Sequence, residues 1–316
     1  MAYSKPAFLF PGQGSQKVGM GKSLCDACNA ARRIWQSADA ELGWSLQQLA
    51  FEGPEDSLKL TKNAQVALFV AEVAGLRALQ DCGIQPGVCA GHSVGEYAAL
   101  VAGQVVTFEE GLRLVRIRGE AMDRAACAHP GAMAAILSLD ADTVGQLCRD
   151  AASLGIVGIA NYNSPDQIVI SGEAAVVEAV SRGALQAGAR RVVPLAVSGG
   201  FHSGLMQPAG DELAKELERA DLRPPGVPVI LNVTANYAAD SDEIRTSLAD
   251  QVTSQVRWHE SMMRLVAGDC DSIIEVGPGK VLSGLAKRLD SVPPVFNVDE
   301  AADLGTIREI WNSVEV

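Results

Sequence analysis

The sequence predicts an α/β fold, in which helices cover a mostly parallel sheet and a smaller unit is inserted into the chain. Short apolar runs alternate with Ala- and Leu-rich helical stretches, which favours strands joined by helices. The run Gly91–Gly95 has the pattern G-x-S-x-G between an apolar strand end and a helix start. Between residues 128 and 197 the predicted elements follow the order β-α-β-β-α-β, which is the ferredoxin-like pattern.

The first elements of the predicted large domain each have a local signal. Residues 7–10 are apolar and end at Pro11-Gly12-Gln13-Gly14, which indicates a strand followed by a turn. Residues 66–79 place apolar side chains on one stripe and predict a helix. A second helix is predicted over 108–126, because Thr107 suits an N-cap and two acidic residues follow it.

The later elements divide the chain into two parts. We expect a large domain of residues 1–127 and 198–316 and a small subdomain of residues 128–197. Within the small subdomain the expected elements are a strand at 132–137, a helix at 141–152, a hairpin of 156–161 with 167–171, a helix at 174–187 and a strand at 191–197. Two further strands of the large domain are expected at 227–232 and 272–276.

Composition excludes several classes of function. The chain has 316 residues and a formal net charge of -12, so it lacks the positive charge of a nucleic-acid-binding protein. No apolar run is long enough to span a bilayer, and the first residues lack the pattern of a signal peptide. The seven cysteines do not have the His/Cys spacing of a metal site. We therefore expect a soluble cytoplasmic protein without a metal, a nucleic-acid partner or a membrane partner.

Ser93 is the candidate nucleophile. Glycines on both sides allow a sharp turn that exposes the serine hydroxyl at a helix N-terminus, where a developing negative charge is stabilised. An ordinary glycine-rich turn between a strand and a helix is the alternative reading. The flanking apolar segments favour the nucleophile elbow.

A serine nucleophile requires a base, and the chain has four histidines. His202 lies in a glycine-containing loop after a predicted strand, where α/β folds build their sites. The alternative candidates for the base are His92, His129 and His259. Acyl transfer also requires oxyanion donors, and the N–H of Val94 and the loop 11–16 are candidates, although that loop could be a plain turn.

Arg118 is the clearest indication of the substrate. It shares a helix face with Val115 and Met122, so it lies on the stripe that meets the core. A buried guanidinium requires an anion. That anion is either a substrate carboxylate, which fits the planar fork of arginine, or a carboxylate of the protein itself.

Six blocks in this order carry a resemblance to a known family. They are Phe10-Pro11-Gly12-Gln13-Gly14-Ser15-Gln16, Gly91-His92-Ser93-Val94-Gly95-Glu96-Tyr97, Arg118-Gly119-Glu120-Ala121-Met122, Asn161-Tyr162-Asn163-Ser164-Pro165, Phe201-His202-Ser203 and Glu275-Val276-Gly277-Pro278-Gly279. Together they resemble malonyl-CoA:acyl carrier protein transacylases, over nearly the whole chain. They also resemble the discrete acyltransferases of polyketide synthases. This resemblance implies an α/β-hydrolase-like large domain with a ferredoxin-like small one.

The resemblance also implies roles for individual residues. Ser93 would carry the malonyl group and His202 would act as base and then as acid. The N–H groups of Gln13 and Val94 would form the oxyanion hole. The backbone carbonyl of Gln251 would orient the histidine in place of an acidic residue.

Seven further residues concern the substrate or the partner. Arg118, with Met122 beside it, would bind the free carboxylate of the malonyl group. Phe201 would leave less room for a 2-methyl branch. The substrates would be malonyl-CoA and acyl carrier protein, with no cofactor. Exposed basic residues would contact the carrier protein or the phosphates of CoA, and the candidates are Arg190, Arg191, Lys287 and Arg288.

The function predicted from the sequence is malonyl transfer in fatty-acid biosynthesis. A polyketide acyltransferase is the main alternative. A serine esterase or thioesterase and a non-catalytic docking subunit are the others. The esterase reading leaves Arg118 without a role, and the docking reading leaves Ser93, His202 and Arg118 without one.

Overall fold

The computed structural model describes residues 3–312, so residues 1–2 and 313–316 of the predicted large domain lie outside the described residues. The strands are β1 Pro6–Phe10, β2 Val88–Gly91, β3 Gly131–Leu137, β4 Val157–Ser164, β5 Gln167–Glu173, β6 Arg191–Pro194, β7 Val229–Ile230, β8 Ser272–Val276 and β9 Val295–Val298. The first seven helices are α1 Lys22–Ala27, α2 Asn29–Leu42, α3 Leu46–Glu52, α4 Glu55–Lys59, α5 Thr61–Asp81, α6 Gly95–Ala102 and α7 Phe108–Ala128. The others are α8 Ala141–Ala151, α9 Ala174–Gln186, α10 Gln207–Arg219, α11 Ser241–Gln251, α12 Trp258–Ala267, α13 Val281–Ala286 and α14 Ala301–Asn312.

The larger sheet is parallel throughout, with the strand order β7-β2-β1-β8-β9. Alternate residues of β1 point to opposite faces. Phe8 and Phe10 belong to the hydrophobic cluster on one face, and Ala7 and Leu9 belong to the cluster on the other. Both faces are therefore buried under helices, as the apolar composition of the strands requires.

The smaller sheet is antiparallel, with the strand order β4-β5-β3-β6. Together with α8 and α9 on its own hydrophobic cluster, this is the ferredoxin-like arrangement. The predicted fold class, an α/β fold with a parallel sheet and a small ferredoxin-like unit, is confirmed. All four strands lie between residues 131 and 194, and we propose the division into 1–127 with 198–316 and 128–197 on that ground.

Two strands are shorter than the sequence predicts. The strand expected at 191–197 ends at Pro194, and Leu195 and Val197 instead line a cavity. The strand expected at 227–232 is reduced to Val229–Ile230. It ends early because the backbone of Leu231 bonds within the turn that follows, its N–H to the carbonyl of Asn236 at 3.0 Å and its carbonyl to the N–H of Ala235 at 2.9 Å. Within residues 3–312, no helix is long and apolar enough to cross a membrane.

Candidate active site

Ser93 lies on a sharp turn between β2 and α6, as the G-x-S-x-G pattern predicts. Its φ is 53°, in the left-handed region. A Cβ on Gly91 would lie 2.0 Å from the backbone of Gly95, and a Cβ on Gly95 would lie 2.2 Å from the carbonyl oxygen of Phe10. Only glycine fits at both positions, and the serine hydroxyl is directed to the cavity at the carboxyl end of the sheet.

Asn232 holds this turn and was not predicted as a site residue. Its Oδ1 accepts a hydrogen bond of 2.7 Å from the Ser93 N–H, and its Nδ2 donates one of 2.6 Å to the carbonyl of Gly91. The sequence gives only a weak signal for this role of Asn232, because an asparagine at the end of a short strand is common. The bonds lock the left-handed backbone of the serine.

His202 is the histidine that the structure brings to Ser93. Its Nε2 lies 2.8 Å from the Ser93 Oγ. Its Nδ1 lies 2.8 Å from the carbonyl of Gln251 and 3.2 Å from that of Ser254. Carbonyls only accept hydrogen bonds, so Nδ1 carries the proton and Nε2 presents a lone pair to the hydroxyl. This geometry allows general-base chemistry without an acidic third residue.

The environment keeps His202 neutral. The side chain is buried, and burial together with the positive charge of Arg118 lowers its pKa from 6.5 to about 3. The other histidines do not bond to the Ser93 hydroxyl within residues 3–312, although His92 lines the same cavity. The Nε2 of His92 bonds to Asn163 at 3.0 Å, and His129 is exposed at the end of α7. His259 lies on α12.

Arg118 is buried on α7, with 1% of its surface exposed. Its Nη1 donates to Gln65 Oε1 at 2.6 Å, and its Nη2 donates to Gln251 Oε1 at 2.9 Å and to Ser93 Oγ at 3.0 Å. The guanidinium also lies over the ring of Tyr97, 5.9 Å from its centre. No acidic side chain within residues 3–312 forms an ion pair with it. The alternative of a salt bridge inside the protein is therefore wrong for the described part of the chain.

A cavity of about 270 Å³ opens onto Ser93 and His202. Its lining includes the predicted residues Gln13, Met122 and Phe201. Most of the remaining lining is apolar, and it comes from both the large domain and the small sheet. In the described part of the chain, no three His, Cys, Asp or Glu side chains are grouped to hold a metal ion.

One predicted oxyanion donor precedes Ser93 in the sequence, and the other follows it. Val94 directly follows Ser93 and caps α6, and Gln13 lies in the loop after β1, with its side-chain amide bonded to Thr61 at 3.3 Å. Neither backbone N–H donates to another atom of residues 3–312. Both donors are therefore available to an oxygen bound in the cavity.

The four predicted basic contact residues lie outside this cavity. All four are exposed. Arg288 is already paired, since its Nη1 lies 2.7 Å from Asp166 Oδ1. Arg191 is the first residue of β6 and Arg190 precedes it. Lys287 follows α13, three of whose residues line the cavity.

Sequence reasoning missed two further buried polar residues. Gln65 lies on the apolar helix α5, and Glu96 lies in the otherwise apolar helix α6. Both are almost fully buried. A polar residue inside an apolar helical stripe is a signal that could have identified both of them.

The comparisons with known proteins are extensive. Residues 7–309 match the family model described as "Acyl transferase domain". The chain is 47% identical over 288 residues to the "Malonyl CoA-acyl carrier protein transacylase" of Bacillus subtilis (strain 168), with 91% of each chain covered. It is 42% identical to the protein of that name from Escherichia coli (strain K12), with coverage of 96% of this chain and 99% of the relative.

Solved structures give the same result. A malonyl-transacylase in complex with its type II PKS acyl-carrier protein matches with a TM-score of 0.94 and 39% identity. The match covers 97% of this chain and 100% of that one. An acyl carrier protein S-malonyltransferase from Vibrio cholerae matches with a TM-score of 0.92 and 41% identity, covering 96% and 100%.

Proposed function

Since the chain belongs to the acyl transferase family and to its malonyl CoA-acyl carrier protein transacylases, we propose that it transfers malonyl from malonyl-CoA to the phosphopantetheine thiol of an acyl carrier protein. One observation carries the choice of substrate. Among the described residues, Arg118 has no carboxylate partner; it is buried and donates to the reacting hydroxyl at 3.0 Å. A substrate carboxylate would supply the missing anion, whereas an esterase for neutral substrates has no use for this arginine.

The first half-reaction acylates Ser93. His202 Nε2 takes the proton of the Ser93 hydroxyl as the oxygen attacks the thioester carbonyl. The N–H groups of Gln13 and Val94 stabilise the oxyanion of the tetrahedral intermediate. When the C–S bond breaks, His202 returns its proton to the sulfur, and free CoA leaves a malonyl ester on Ser93.

The second half-reaction reverses these roles. His202 takes the proton of the carrier thiol, the sulfur attacks the malonyl ester, and the Ser93 oxygen leaves with the proton from His202. The backbone carbonyl of Gln251 keeps the imidazole in the required tautomer during both steps. The proposed reaction needs no cofactor, because an ester and a thioester lie close in energy.

Three side chains select the acyl group in this proposal. Arg118 binds the malonyl carboxylate, and Met122, which lies one turn later on the same helix, lines the cavity. Phe201 is buried beside the dyad and restricts the space for a 2-methyl branch. A pocket shaped for one methyl group discriminates by about 1–3 kcal/mol.

We place this activity in the cytoplasm and in fatty-acid biosynthesis. The structural likeness to a malonyl-transacylase bound to a type II PKS carrier protein favours a polyketide carrier as the second candidate acceptor. Comparing the rate of transfer from the malonyl-enzyme to a holo carrier protein of each pathway distinguishes them. The faster acceptor identifies the pathway.

Intact-mass spectrometry after incubation with malonyl-CoA tests the proposal. We expect one malonyl adduct on the wild-type protein, its loss in Ser93→Ala, and its transfer to a holo carrier protein. Ser291→Ala is a matched control, because Ser291 is an exposed serine that also has a left-handed φ, of 59°. Release of free malonate without an adduct would indicate a hydrolase, and the absence of any reaction would indicate a docking subunit.

A further inference from the structure

Glu96 is a fully buried carboxyl that the proposed reaction does not use. It lies in the first turn of α6, three residues after Ser93. Its Oε2 accepts a hydrogen bond of 2.5 Å from Gln251 Nε2 and one of 3.3 Å from the backbone N–H of Asn232. No Lys, Arg or His within residues 3–312 forms an ion pair with it. A buried carboxyl that is held by neutral donors alone requires an explanation.

The side chain of Gln251 connects Glu96 to Arg118. Its Nε2 donates to Glu96 and also to the carbonyl of Ser93 at 3.1 Å, and its Oε1 accepts from Arg118 at 2.9 Å. The reverse orientation would place the NH₂ group against the guanidinium, donor against donor. It would also place the amide oxygen against the carboxyl and the carbonyl, acceptor against acceptor. Glu96 therefore contributes to fixing which end of the amide faces Arg118.

We propose that Glu96 is a positioning residue for the carboxylate clamp, which acts by orienting the Gln251 side-chain amide that in turn holds Arg118. This inference rests on the proposed function, because it assigns selectivity for malonyl to the same arginine. In this arrangement the Gln251 amide lies between the Glu96 carboxyl and the Arg118 guanidinium. In the part of the chain that the structure describes, Arg118 is thus held without a direct ion pair. The substrate carboxylate does not have to displace one of these protein carboxylates from the guanidinium.

The role of Glu96 depends on its acceptor oxygen. Burial raises the pKa of Glu96 to about 7, although the bonds from Gln251 and Asn232 oppose the shift. A protonated carboxyl still has a carbonyl oxygen that accepts from Gln251. Glutamine has the same carbonyl at the same distance from the backbone, so Glu96→Gln keeps the acceptor and Glu96→Ala removes it.

The test compares malonyl and acetyl loading of Ser93 from the two CoA thioesters. We define selectivity as the ratio of the two kcat/KM values, because a general loss of folding or of nucleophile activity cancels in this ratio. We expect Glu96→Ala to lower the selectivity about tenfold, which corresponds to one lost hydrogen bond. We expect Glu96→Gln to stay within about twofold of the wild type.

Two further variants complete the experiment. Glu72→Ala removes another fully buried carboxyl, one that has no hydrogen-bond partner within residues 3–312, and it should leave the selectivity unchanged. Gln251→Met keeps the backbone carbonyl that contacts His202 but removes the amide. It should lower the selectivity as much as Glu96→Ala does, and it tests the inference even if the alanine variant does not fold.

Three results would overturn the inference. They are an unchanged selectivity in Glu96→Ala, an equal loss in Glu96→Gln, and a Gln251→Met variant as selective as the wild type. Failure of the proposed function gives a different result, since the wild-type protein itself would then form no malonyl adduct on Ser93.

Discussion

The two proposed reacting residues share a backbone conformation that L-amino acids seldom adopt. Ser93 has a φ of 53° and His202 a φ of 58°. Strained residues of this kind cost about 1–3 kcal/mol each and persist only where the surroundings hold them. The Asn232 side chain holds the first, and the carbonyls of Gln251 and Ser254 orient the ring of the second.

Arg118→Ala tests the clamp at the residue scale. The substitution removes the only charged donor that contacts Ser93 within residues 3–312, so malonyl loading should fall by at least about 100-fold. Acetyl loading should persist or rise, because acetyl has no carboxylate. The measurement is adduct formation from each CoA thioester by intact mass.

Arg116→Ala is the matched control for this variant. Arg116 lies on the same helix but is exposed, so the loading of both acyl groups should match the wild type. An equal loss of malonyl and acetyl loading in Arg118→Ala would contradict the clamp.

The pH dependence tests the state of His202. Its pKa lies at about 3 in the folded protein, below the ordinary 6.5, so the base stays neutral as the pH falls through 6.5. The rate constant of malonyl loading, measured by quenched flow, should therefore change by less than about threefold between pH 8 and pH 5. A tenfold decrease per pH unit below 6.5 would show that His202 titrates at its ordinary pKa.

At the scale of elements, the nucleophile depends on the close approach of α6 to β1. Gly95 begins α6, and its Cα faces the carbonyl oxygens of Phe10 and Pro11. The same contact places the loop that carries Gln13 next to Ser93. Packing of a helix against a strand therefore brings the two proposed oxyanion donors to the same site, although Gln13 and Val94 lie far apart in the chain.

Gly95→Ala should disrupt this contact. A Cβ would lie 2.2 Å from Phe10 O and 2.6 Å from Pro11 O, and backbone atoms cannot move away easily. We expect a loss of about 3 kcal/mol or more in the free energy of unfolding, measured by urea denaturation. Gly284→Ala on α13 is the control, since no atom lies within 4 Å of its Cβ, and it should stabilise by up to about 1 kcal/mol.

At the scale of the whole molecule, backbone hydrogen bonds join the small sheet to the rest of the chain beside the cavity. Val256, in the proposed large domain, pairs with β4, donating to the carbonyl of Ala160 at 2.8 Å and accepting from the N–H of Tyr162 at 3.0 Å. The Arg288–Asp166 ion pair joins the same two parts at the surface. A partly exposed pair of this kind contributes at most about 1 kcal/mol. The backbone pairing, and the packing of Met133 and Val169 into the main hydrophobic cluster, therefore hold the small sheet more strongly than the ion pair does.

The proposed carrier contact belongs to this scale. Lys287 is exposed and has no ion-pair partner within residues 3–312, and it follows the helix that lines the cavity. Lys287→Glu should raise the KM for the carrier protein about threefold or more at low salt, with a smaller effect at high salt. Lys215→Glu, at an exposed position on α10, is the control for net charge. Equal effects of the two variants would contradict a specific contact.

Local patterns in the sequence predicted the parts of the protein that depend on neighbours in the chain. Three features have short-range signals: the elbow around Ser93, the N-cap Thr107 and the ferredoxin-like order of elements. The Thr107 side chain accepts from the Glu110 N–H at 3.2 Å. Each of the three features depends on the conformation of a few consecutive residues, which residue type and spacing largely decide.

Only the tertiary structure decided how the polar groups are connected. Gln251 contacts Ser93, Glu96 and Arg118 from more than 130 residues away, and no local pattern predicts such a contact. The sequence left open whether Arg118 was paired with a carboxylate of the protein, whereas the structure decides this within residues 3–312. The physical reason is that burial removes water, so each polar group must find its partner among whichever side chains the fold brings within about 3 Å.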